Sequence, residues 1–285
     1  MPATPSSVAR VRPGSRSRRA RLRVGALLVG VFALVASGLT LVTPAQAIVG
    51  GEFASPGEGR FMVSVQDRAR RGSDAHFCGG SVVRKRWVLT AAHCVTDTKP
   101  KDLRLVVGRQ NLDGSGGRAL RVKRIVIHPR YASTGTHDVA LLRTGRRVGV
   151  PRIPLVRVGN DSHEQSGAPL TVAGWGTTFF LVGPISPQLK KVDVRAVADE
   201  DCVTNGLMGF NPETEMCAEE LGGDSCQGDS GGPLFGKNAK GKPVQVGVVS
   251  YGLGCATPLF PGVYAEVNSP PIRSFLVRTI RRARR

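Results

Sequence analysis

The sequence predicts an all-β protein built from many short strands. Apolar runs recur between Gly, Pro, Asn or Asp residues, and most of them are rich in Val, Ile or Leu. They are too short for free-standing helices, and regularly spaced strands with turn signals are typical of a β-sandwich or a β-barrel. No internal repeat is present. The runs are 61–65, 81–90, 103–107, 122–127, 138–142, 170–173, 189–194, 244–249 and 262–267.

Only the C-terminus departs from this pattern. Between Ile272 and Ile280, apolar residues at 272, 275, 276 and 280 follow helical spacing. Pro270 and Pro271 suit the first turn of a helix. The arginines of 281–285 lie where the negative end of the helix dipole favours cations. We therefore predict one C-terminal helix. Residues 151–169, rich in Pro, Gly and polar groups, predict the crossing between two halves of the domain.

The first 47 residues predict a secretory signal peptide. Residues 1–23 carry seven arginines and no acid, and 24–42 are mostly apolar. Ala45-Gln46-Ala47 then forms a small-x-small cleavage pattern. A membrane anchor fits less well, because the run is glycine-rich and leads into a cleavage-like site. Residues 17–23 also resemble a twin-arginine signal, so the export route stays open. The mature domain would span 48–285.

Composition limits the partners of this chain. Forty Lys and Arg face 21 Asp and Glu, a net charge of +19, which falls to +12 without residues 1–47. A basic surface attracts polyanions such as cell walls loosely. Neither zinc-finger spacing nor an aromatic RNA-binding signature is present, so no nucleic-acid partner is expected. No other apolar run reaches membrane-spanning length, so we expect no membrane contact after signal removal. A monomer is expected.

The cysteines indicate an oxidising compartment. All six lie after the predicted signal peptide, and an even number in that setting predicts disulfides. No pair has Cys-x-x-Cys spacing, which disfavours metal binding. The six are Cys78, Cys94, Cys202, Cys217, Cys226 and Cys255.

Gly228-Asp229-Ser230-Gly231-Gly232-Pro233 is the strongest candidate for a nucleophile. Read as G-x-S-x-G, it would also fit the nucleophile elbow of α/β-hydrolases, whose acid and histidine follow the serine. No histidine and no aspartate follows residue 229, so that reading fails. A plain glycine turn is the remaining alternative, and candidate partners for the serine decide against it.

Two residues are candidate partners. A serine hydroxyl needs a base to take its proton, and His93 follows the apolar segment Trp87-Val88-Leu89 and directly precedes Cys94. Asp138 lies directly before an apolar strand, where burial of a carboxylate is costly unless it is paired. A hydrogen bond from the imidazole would pair it. His137 is expected to be an exposed loop residue.

Five segments in this order resemble the trypsin-like serine peptidases: Ile48-Val49-Gly50-Gly51, TAAHC at 90–94, DVALL at 138–142, GWG at 174–176 and GDSGGP at 228–233. The resemblance covers essentially the whole mature chain. It implies two six-stranded antiparallel β-barrels with the catalytic groups in the cleft between them, and a secreted serine endopeptidase. The resemblance is to a bacterial-type trypsin. Arginine outnumbers lysine 31 to 9, which suggests a GC-rich genome and decides nothing about function.

The resemblance also implies a role for each catalytic residue. Ser230 would attack the peptide carbonyl, while His93 accepts its proton and later donates it to the leaving amine. Asp138 would orient the imidazole and stabilise its charged form. The backbone N–H groups of Gly228 and Ser230 would form the oxyanion hole.

The same resemblance implies cleavage after Arg or Lys. Asp224, six residues before Ser230, corresponds to the floor of the specificity pocket, where a buried carboxylate needs a substrate cation. Ser225 adds a hydroxyl near the floor. Gly252 and Gly262 correspond to the pocket walls, where larger residues would block the slot.

Beyond the pocket, the sequence departs from the family. Ser250, Tyr251 and Gly252 would pair with the substrate backbone as a strand. Tyr251 replaces the tryptophan of most relatives, which leaves the outer subsite preferences open. The expected partners are polypeptides with Arg or Lys before the scissile bond, and protein protease inhibitors. Disulfides are implied for Cys78–Cys94, Cys202–Cys217 and Cys226–Cys255.

Activation in this family pairs a new amino terminus, here Ile48, with the acid before the serine, here Asp229. The residue before Ile48 is Ala47, where most relatives have a basic one. We therefore predict that signal peptidase alone exposes Ile48, without a separate propeptide step.

No cofactor is expected to be required. The loop 108–119, which binds calcium in many animal relatives, carries Arg109, Arg118 and a single acid, Asp113, a poor set of oxygen ligands. Asp199, Glu215 and Glu266 are an alternative candidate set for calcium, but we expect them to be solvated surface acids. The alternative function is a catalytically weak basic binding protein of the same fold, and esterase activity would be a side reaction of the same triad.

Overall fold

A computed structural model describes residues 48, 50–177, 183–204, 209–257 and 260–283. The predicted signal peptide, residues 1–47, lies outside the described residues. The described strands are β1 Glu52–Phe53, β2 Met62–Asp67, β3 His76–Arg84, β4 Trp87–Thr90, β5 Leu103–Val107, β6 Arg118–Ile127, β7 Ala140–Thr144, β8 Pro169–Gly174, β9 Lys190–Val197, β10 Glu215–Glu219, β11 Pro233–Lys237, β12 Pro243–Tyr251 and β13 Gly262–Glu266.

Two antiparallel barrels contain all but one of these strands. Strands β2 to β7 close in the order β2-β3-β4-β7-β6-β5, and we call this the first barrel. The second barrel has the order β9-β10-β13-β12-β11-β8, closed by pairing of β8 with β9, and β1 adds to the edge of β9. The predicted all-β fold of two six-stranded barrels is confirmed. The predicted crossing at 151–169 overlaps the connection from β7 to β8.

Three α-helices are described: α1 Tyr131–Thr134, α2 Asp199–Thr204 and α3 Pro270–Arg282. Helix α3 confirms the predicted C-terminal helix, with prolines in its first turn and Arg281 and Arg282 in its last. It buries the predicted apolar face, and each such side chain is worth about 1.5–3 kcal/mol. The buried residues are Ile272, Phe275, Leu276 and Ile280. In the described part of the chain, none of the helices is long and apolar enough to cross a membrane.

The apolar runs predicted most strands but not all. The run 81–90 is two strands, because the turn Lys85-Arg86 divides it. Strands β1, β10 and β11 were not predicted, because β1 has only two residues, β10 has glutamates at both ends, and β11 begins with proline and contains glycine. These segments form strands because neighbouring strands pack against them, although their own sequences do not indicate a strand.

Three disulfides join the pairs that the resemblance implies. Cys78–Cys94 ties β3 to the loop after β4, Cys202–Cys217 ties α2 to β10, and Cys226–Cys255 ties the serine loop to the segment after β12.

Candidate active site

The first barrel positions the candidate base and acid. Thr90 at the end of β4 lies opposite Ala140 at the start of β7, so the adjoining residues His93 and Asp138 lie at the same barrel edge. His93 Nδ1 is 2.6 Å from Asp138 Oδ2, and the His93 backbone N–H donates to Asp138 Oδ1 at 2.9 Å. Because an ionised carboxylate only accepts hydrogen bonds, Nδ1 carries the proton and Nε2 has the free lone pair.

Ser250 of the second barrel also contacts this acid. Its hydroxyl donates to Asp138 Oδ2 at 2.6 Å, and the Asp138 residue is only 2% exposed. Sequence analysis placed Ser250 on the substrate strand but did not reveal this contact. Three donors thus satisfy the buried carboxylate, which is the requirement for burying such a charge.

Glycines bring the serine loop against the first barrel. The Gly79 N–H of β3 donates to the Ser230 carbonyl at 2.7 Å. A Cβ added at Gly231 would collide with Thr90 Oγ1, and one at Gly79 would lie 2.9 Å from Gly232 Cα. Only residues without a side chain permit this approach, which carries Ser230 towards the end of β4, where His93 follows.

Cys94 contacts both the candidate base and the backbone of the candidate nucleophile. Its Sγ is 3.6 Å from His93 Nε2 and 3.7 Å from the Ser230 carbonyl oxygen. Among the described residues, no hydrogen bond joins the Ser230 hydroxyl to His93. Hydrogen bonds of this kind often tighten only when substrate binds. The structure therefore brings the three predicted catalytic residues to one site, with the acid and base already bonded.

The backbone at Gly228 depends on glycine and on a buried histidine. Gly228 has φ of 96°, and a Cβ there would lie 2.6 Å from Ile185 Cδ1. The His76 Nε2–H donates to the Gly228 carbonyl at 2.8 Å, while Nδ1 pairs with the Ser64 hydroxyl at 2.8 Å. Burial lowers the pKa of His76 to about 4, which keeps the ring neutral. No sequence motif marked His76 as a support for this loop.

Asp229 occupies a space that two glycines leave open. It is fully buried, and its carboxylate accepts hydrogen bonds from the backbone N–H groups of Gly176 and Cys226 at 2.8 and 2.9 Å. A Cβ at Gly174 or at Gly176 would collide with this carboxylate. Burial raises the pKa of Asp229 to about 7, and no cation pairs with it within the described residues. The Gly-Trp-Gly segment thus surrounds a buried carboxylate that has no cationic partner in the described residues.

Asp224 is a buried carboxylate beside Gly262. The residue is 6% exposed, and its carboxylate accepts hydrogen bonds from the backbone N–H groups of Ser225 at 2.6 Å and Ala256 at 3.1 Å. A Cβ at Gly262 would lie 3.1 Å from Asp224 Oδ1, whereas one at Gly252 would meet nothing nearer than 3.8 Å. Burial raises the pKa of Asp224 to about 6. The described part of the chain supplies no cation for it.

Tyr251 and Glu215 form a pair beside the substrate strand. Tyr251 is 40% exposed, and its hydroxyl donates to Glu215 Oε2 at 3.2 Å. The Asn211 N–H donates to the same oxygen at 2.8 Å, while the buried Oε1 has no partner in the described residues. Burial first, and then the nearby Asp138 charge, raise the pKa of Glu215 to about 7.

The carboxylates considered for calcium do not form one group. Glu215 is held by Tyr251, while Glu266 lies near Glu164, Asp199 and Asp161, and burial and these acids raise its pKa to about 8. Asp113 of the loop 108–119 accepts hydrogen bonds from Ser73. In the described residues, no three carboxylates bring their oxygens within 4.8 Å of one another. The expectation that no cofactor is required stays a prediction, whereas the expectation of a solvated surface acid is wrong for Glu215, which is buried.

The expectation for His137 is wrong. The residue is 3% exposed, and its ring stacks on that of His128 with centroids 4.6 Å apart. Phe275 of α3 meets the other ring edge-on at 4.8 Å. Helix α3, far along the chain, therefore buries a loop that its own sequence suggested was exposed.

This arrangement defines a class. A serine, a histidine and a buried aspartate lie where two antiparallel barrels join, which is the arrangement expected of a serine peptidase. The trypsin family model matches residues 48–272, and the chain therefore belongs to the trypsin family and is a serine endopeptidase.

Curated relatives agree with this assignment. The chain is 38% identical over 252 residues to a trypsin of Simulium vittatum, covering 83% of this chain and 98% of the relative. It is 36% identical to hypodermin-A of Hypoderma lineatum, over 81% and 86% of the two chains. A trypsin-like protease of Streptomyces glaucescens is 34% identical, over 86% and 88%. Membership in this family implies polypeptide substrates and protein protease inhibitors.

Proposed function

We propose that this enzyme is a secreted endopeptidase that cleaves after Arg or Lys. The observation that carries the specificity is the buried Asp224 carboxylate, which lies against Gly262 and has no cationic partner in the described residues. Leaving such a charge uncompensated is costly, so a guanidinium or ammonium group of the substrate binds there. Ser225 adds a hydroxyl 3.3 Å from Asp224 Oδ1.

The chemistry assigned to the site is acyl transfer. The Ser230 hydroxyl attacks the carbonyl carbon, and its proton passes to His93 Nε2, which the Nδ1–Asp138 hydrogen bond leaves with a free lone pair. His93 then donates this proton to the leaving amine, and the peptide C–N bond breaks. Water hydrolyses the acyl-enzyme by the same proton route. Ser250 acts through Asp138, as a donor that keeps the carboxylate oriented.

The developing oxyanion is assigned to the backbone N–H groups of Gly228 and Ser230. His76 supports this assignment, because its hydrogen bond to the Gly228 carbonyl limits rotation about the backbone bonds of Gly228 and so helps to fix the direction of the Gly228 N–H. The loss of one oxyanion donor typically lowers the rate about 10²–10³-fold.

Activation is assigned to the amine of Ile48 and the carboxylate of Asp229. Ile48 is fully buried, and it has φ of 54°, a left-handed conformation that a β-branched residue rarely adopts. Such a residue stores about 1–3 kcal/mol. Cleavage after Ala47 abolishes this torsion and creates an ammonium group, the positive partner that Asp229 needs. Residues 1–47 are assigned as the signal peptide that export removes.

A peptide-library digest with the mature enzyme tests the specificity. The expected products end in Arg or Lys, and a Ser230→Ala variant produces none of them. Products that end in aromatic residues would overturn the pocket assignment while leaving the serine peptidase intact.

N-terminal sequencing of the active secreted enzyme tests the activation step. The expected first residue is Ile48. An active form that begins at any other residue would overturn the role of the Ile48 amine.

A further inference from the structure

The positive charge of the mature chain is concentrated in the first barrel. Residues 48–150 contain 19 Lys and Arg against 8 Asp and Glu, whereas residues 151–285 contain 14 against 13. Almost all of the excess therefore lies in the segment that forms β1 and the first barrel. A general solubilising charge would not need this segregation.

The β3–β4 turn gathers part of this charge. Arg84, Lys85 and Arg86 are all exposed at this turn. The chain after β7 runs beside it, because the Thr144 N–H donates to the Arg86 carbonyl at 3.0 Å and the Val148 N–H to the Lys85 carbonyl at 2.8 Å. The residues between these two contacts include Arg146 and Arg147, both exposed.

Strand β6 extends the cluster. Arg124 on β6 lies directly opposite Arg143 on β7, and a Cβ added at Gly145 would lie 3.2 Å from Lys123 Cε. We call the whole cluster the basic surface. It comprises Arg84, Lys85, Arg86, Lys123, Arg124, Arg143, Arg146 and Arg147.

This surface has no acidic counterpart nearby in the sequence. No Asp or Glu occurs in 75–96, 114–137 or 139–160. Within the described chain, no carboxylate forms an ion pair with Arg124, Arg143, Arg146 or Arg147, and the Arg124–Arg143 pair sets like charges directly opposite. Such a pair destabilises a sheet. The fold thus tolerates a repulsion that a bound anion would relieve.

Helix α3 adds a further guanidinium. Arg273 is half-buried, and both burial and the Arg84 charge lower its pKa. Its buried Nη1 has no hydrogen-bond partner in the described residues. Arg273 of the C-terminal helix therefore lies close enough to the β3–β4 turn for the Arg84 charge to act on it.

We propose that the basic surface binds a linear polyanion with closely spaced phosphate groups, such as an inorganic polyphosphate. Most of its cations are arginines, whose planar guanidinium groups bind such oxyanions in pairs of hydrogen bonds. The turn lies before Trp87, at the end of β4 opposite to Thr90 and His93. Polymer binding therefore leaves the catalytic cleft open and holds the enzyme where the polymer is. This role goes beyond the proposed cleavage specificity and does not depend on it.

The test measures binding of long-chain polyphosphate to the mature enzyme by isothermal titration at several salt concentrations. The key variant is Lys123→Gln/Arg146→Gln/Arg147→Gln. Its matched control is Arg157→Gln/Arg195→Gln/Lys240→Gln, which removes the same charge from exposed positions in the other half of the chain. We expect at least a tenfold loss of affinity in the key variant and less than twofold in the control. The log–log salt slope should decrease by about 0.7 per lost contact.

Three further measurements identify the ligand and separate polymer binding from the cleavage specificity. Heparin replaces polyphosphate in a second arm and should bind more weakly, and tighter binding of heparin would overturn the assignment to a phosphate polymer. Equal losses in both variants would show that only net charge matters and would overturn the proposal, as would tighter binding of duplex DNA than of either flexible polymer. Hydrolysis of a small arginine amide should be unchanged in both variants, so failure of the cleavage assignment stays distinguishable.

Discussion

The two barrels place their charges in opposite ways. The first exposes its cations, and its like charges face each other across β6 and β7. The second buries carboxylates whose pKa values burial raises, to about 6 at Asp224 and about 7 at Glu215. An exposed charge stays hydrated at little cost in free energy and can be one of many over a surface, whereas a buried charge interacts with a single partner at a fixed position. The proposed binding of a single substrate side chain and the proposed docking to a polymer therefore use separate parts of this fold.

Among the predictions, Asp224→Asn should have the largest effect, because it removes the buried charge of the second barrel that is proposed to bind the substrate side chain. Removal of one partner of a buried pair costs about 3–5 kcal/mol, roughly 10²–10⁴-fold in kcat/KM for arginine substrates. Asp113→Asn is the matched control, because Asp113 is an exposed first-barrel carboxylate bonded to Ser73. It should leave kcat/KM unchanged. A similar loss in both variants would contradict the assignment.

Ser250→Ala should have the next largest effect. The hydroxyl donates to a buried carboxylate, and a hydrogen bond to a charged group is worth about 1.5–3 kcal/mol, roughly 10–100-fold in kcat. Ser73→Ala removes a comparable bond to the exposed Asp113. Steady-state kinetics should show a normal kcat in that control. If Ser250→Ala retained wild-type kcat, the hydroxyl would have no role in orienting Asp138.

Binding of a cationic inhibitor should depend on the ionisation of Asp224. Burial raises its pKa to about 6, so the free pocket takes up a proton as the pH falls through 6. A guanidinium or amidinium requires the ionised form. Affinity for benzamidine should therefore fall about tenfold per pH unit below about 6. Inhibition constants from pH 4.5 to 8 measure this, and a flat profile would show that Asp224 is ionised throughout.

Glu215 should make stability depend on pH in the direction opposite to a salt-bridged acid. Its folded pKa is raised from 4.5 to about 7, so the folded state holds the proton more tightly than the unfolded state. Its contribution is therefore present below about pH 4.5 and is lost as the pH rises through 7. Glu215→Gln, which keeps an acceptor for Tyr251, should reduce the Tm difference between pH 5 and pH 8. An unchanged difference would show that other acids cause it.

Arg124→Thr should have the smallest effect and the opposite sign. It removes a like charge from the position opposite Arg143, and the stabilisation should be about 0.2–1 kcal/mol. Arg118→Thr is the control, because Arg118 lies opposite Val107 on the neighbouring strand. Urea unfolding measures both. Destabilisation by Arg124→Thr would mean that the two guanidinium groups do not repel each other.

Much of the fold and part of the site were accessible from sequence, because their signals are local. Apolar runs bounded by turn residues indicated most strands, and the period of 272–280 indicated α3. The motifs around His93, Asp138 and Ser230 combine neighbouring residues, so each could be recognised where it stands. The glycines of 174–176 were part of such a motif, although their reason, room for the Asp229 carboxylate, required the structure.

What sequence missed depends on distant contacts. His76 bonds to Gly228, 152 positions away, and Ser250 bonds to Asp138, 112 positions away. Phe275 helps to bury His128, on which His137 stacks, so the neighbours of His137 in the chain could not predict its burial. Glu215 was considered as a calcium ligand together with Asp199 and Glu266, but its partner is Tyr251 on another strand. Each miss is a pairing that only the closed second barrel or helix α3 creates.

The positive φ of Ile48 has a consequence for producing the enzyme. A residue has this torsion only while another residue precedes it. A recombinant chain with an initiator methionine or an affinity tag before Ile48 would keep the torsion and lack the amine. Such a preparation should fold, form its three disulfides and hydrolyse almost nothing. Low activity in that sample would therefore reflect the missing amine of Ile48 and not a defect of the catalytic residues. Removal of a tag that ends directly before Ile48 should restore turnover.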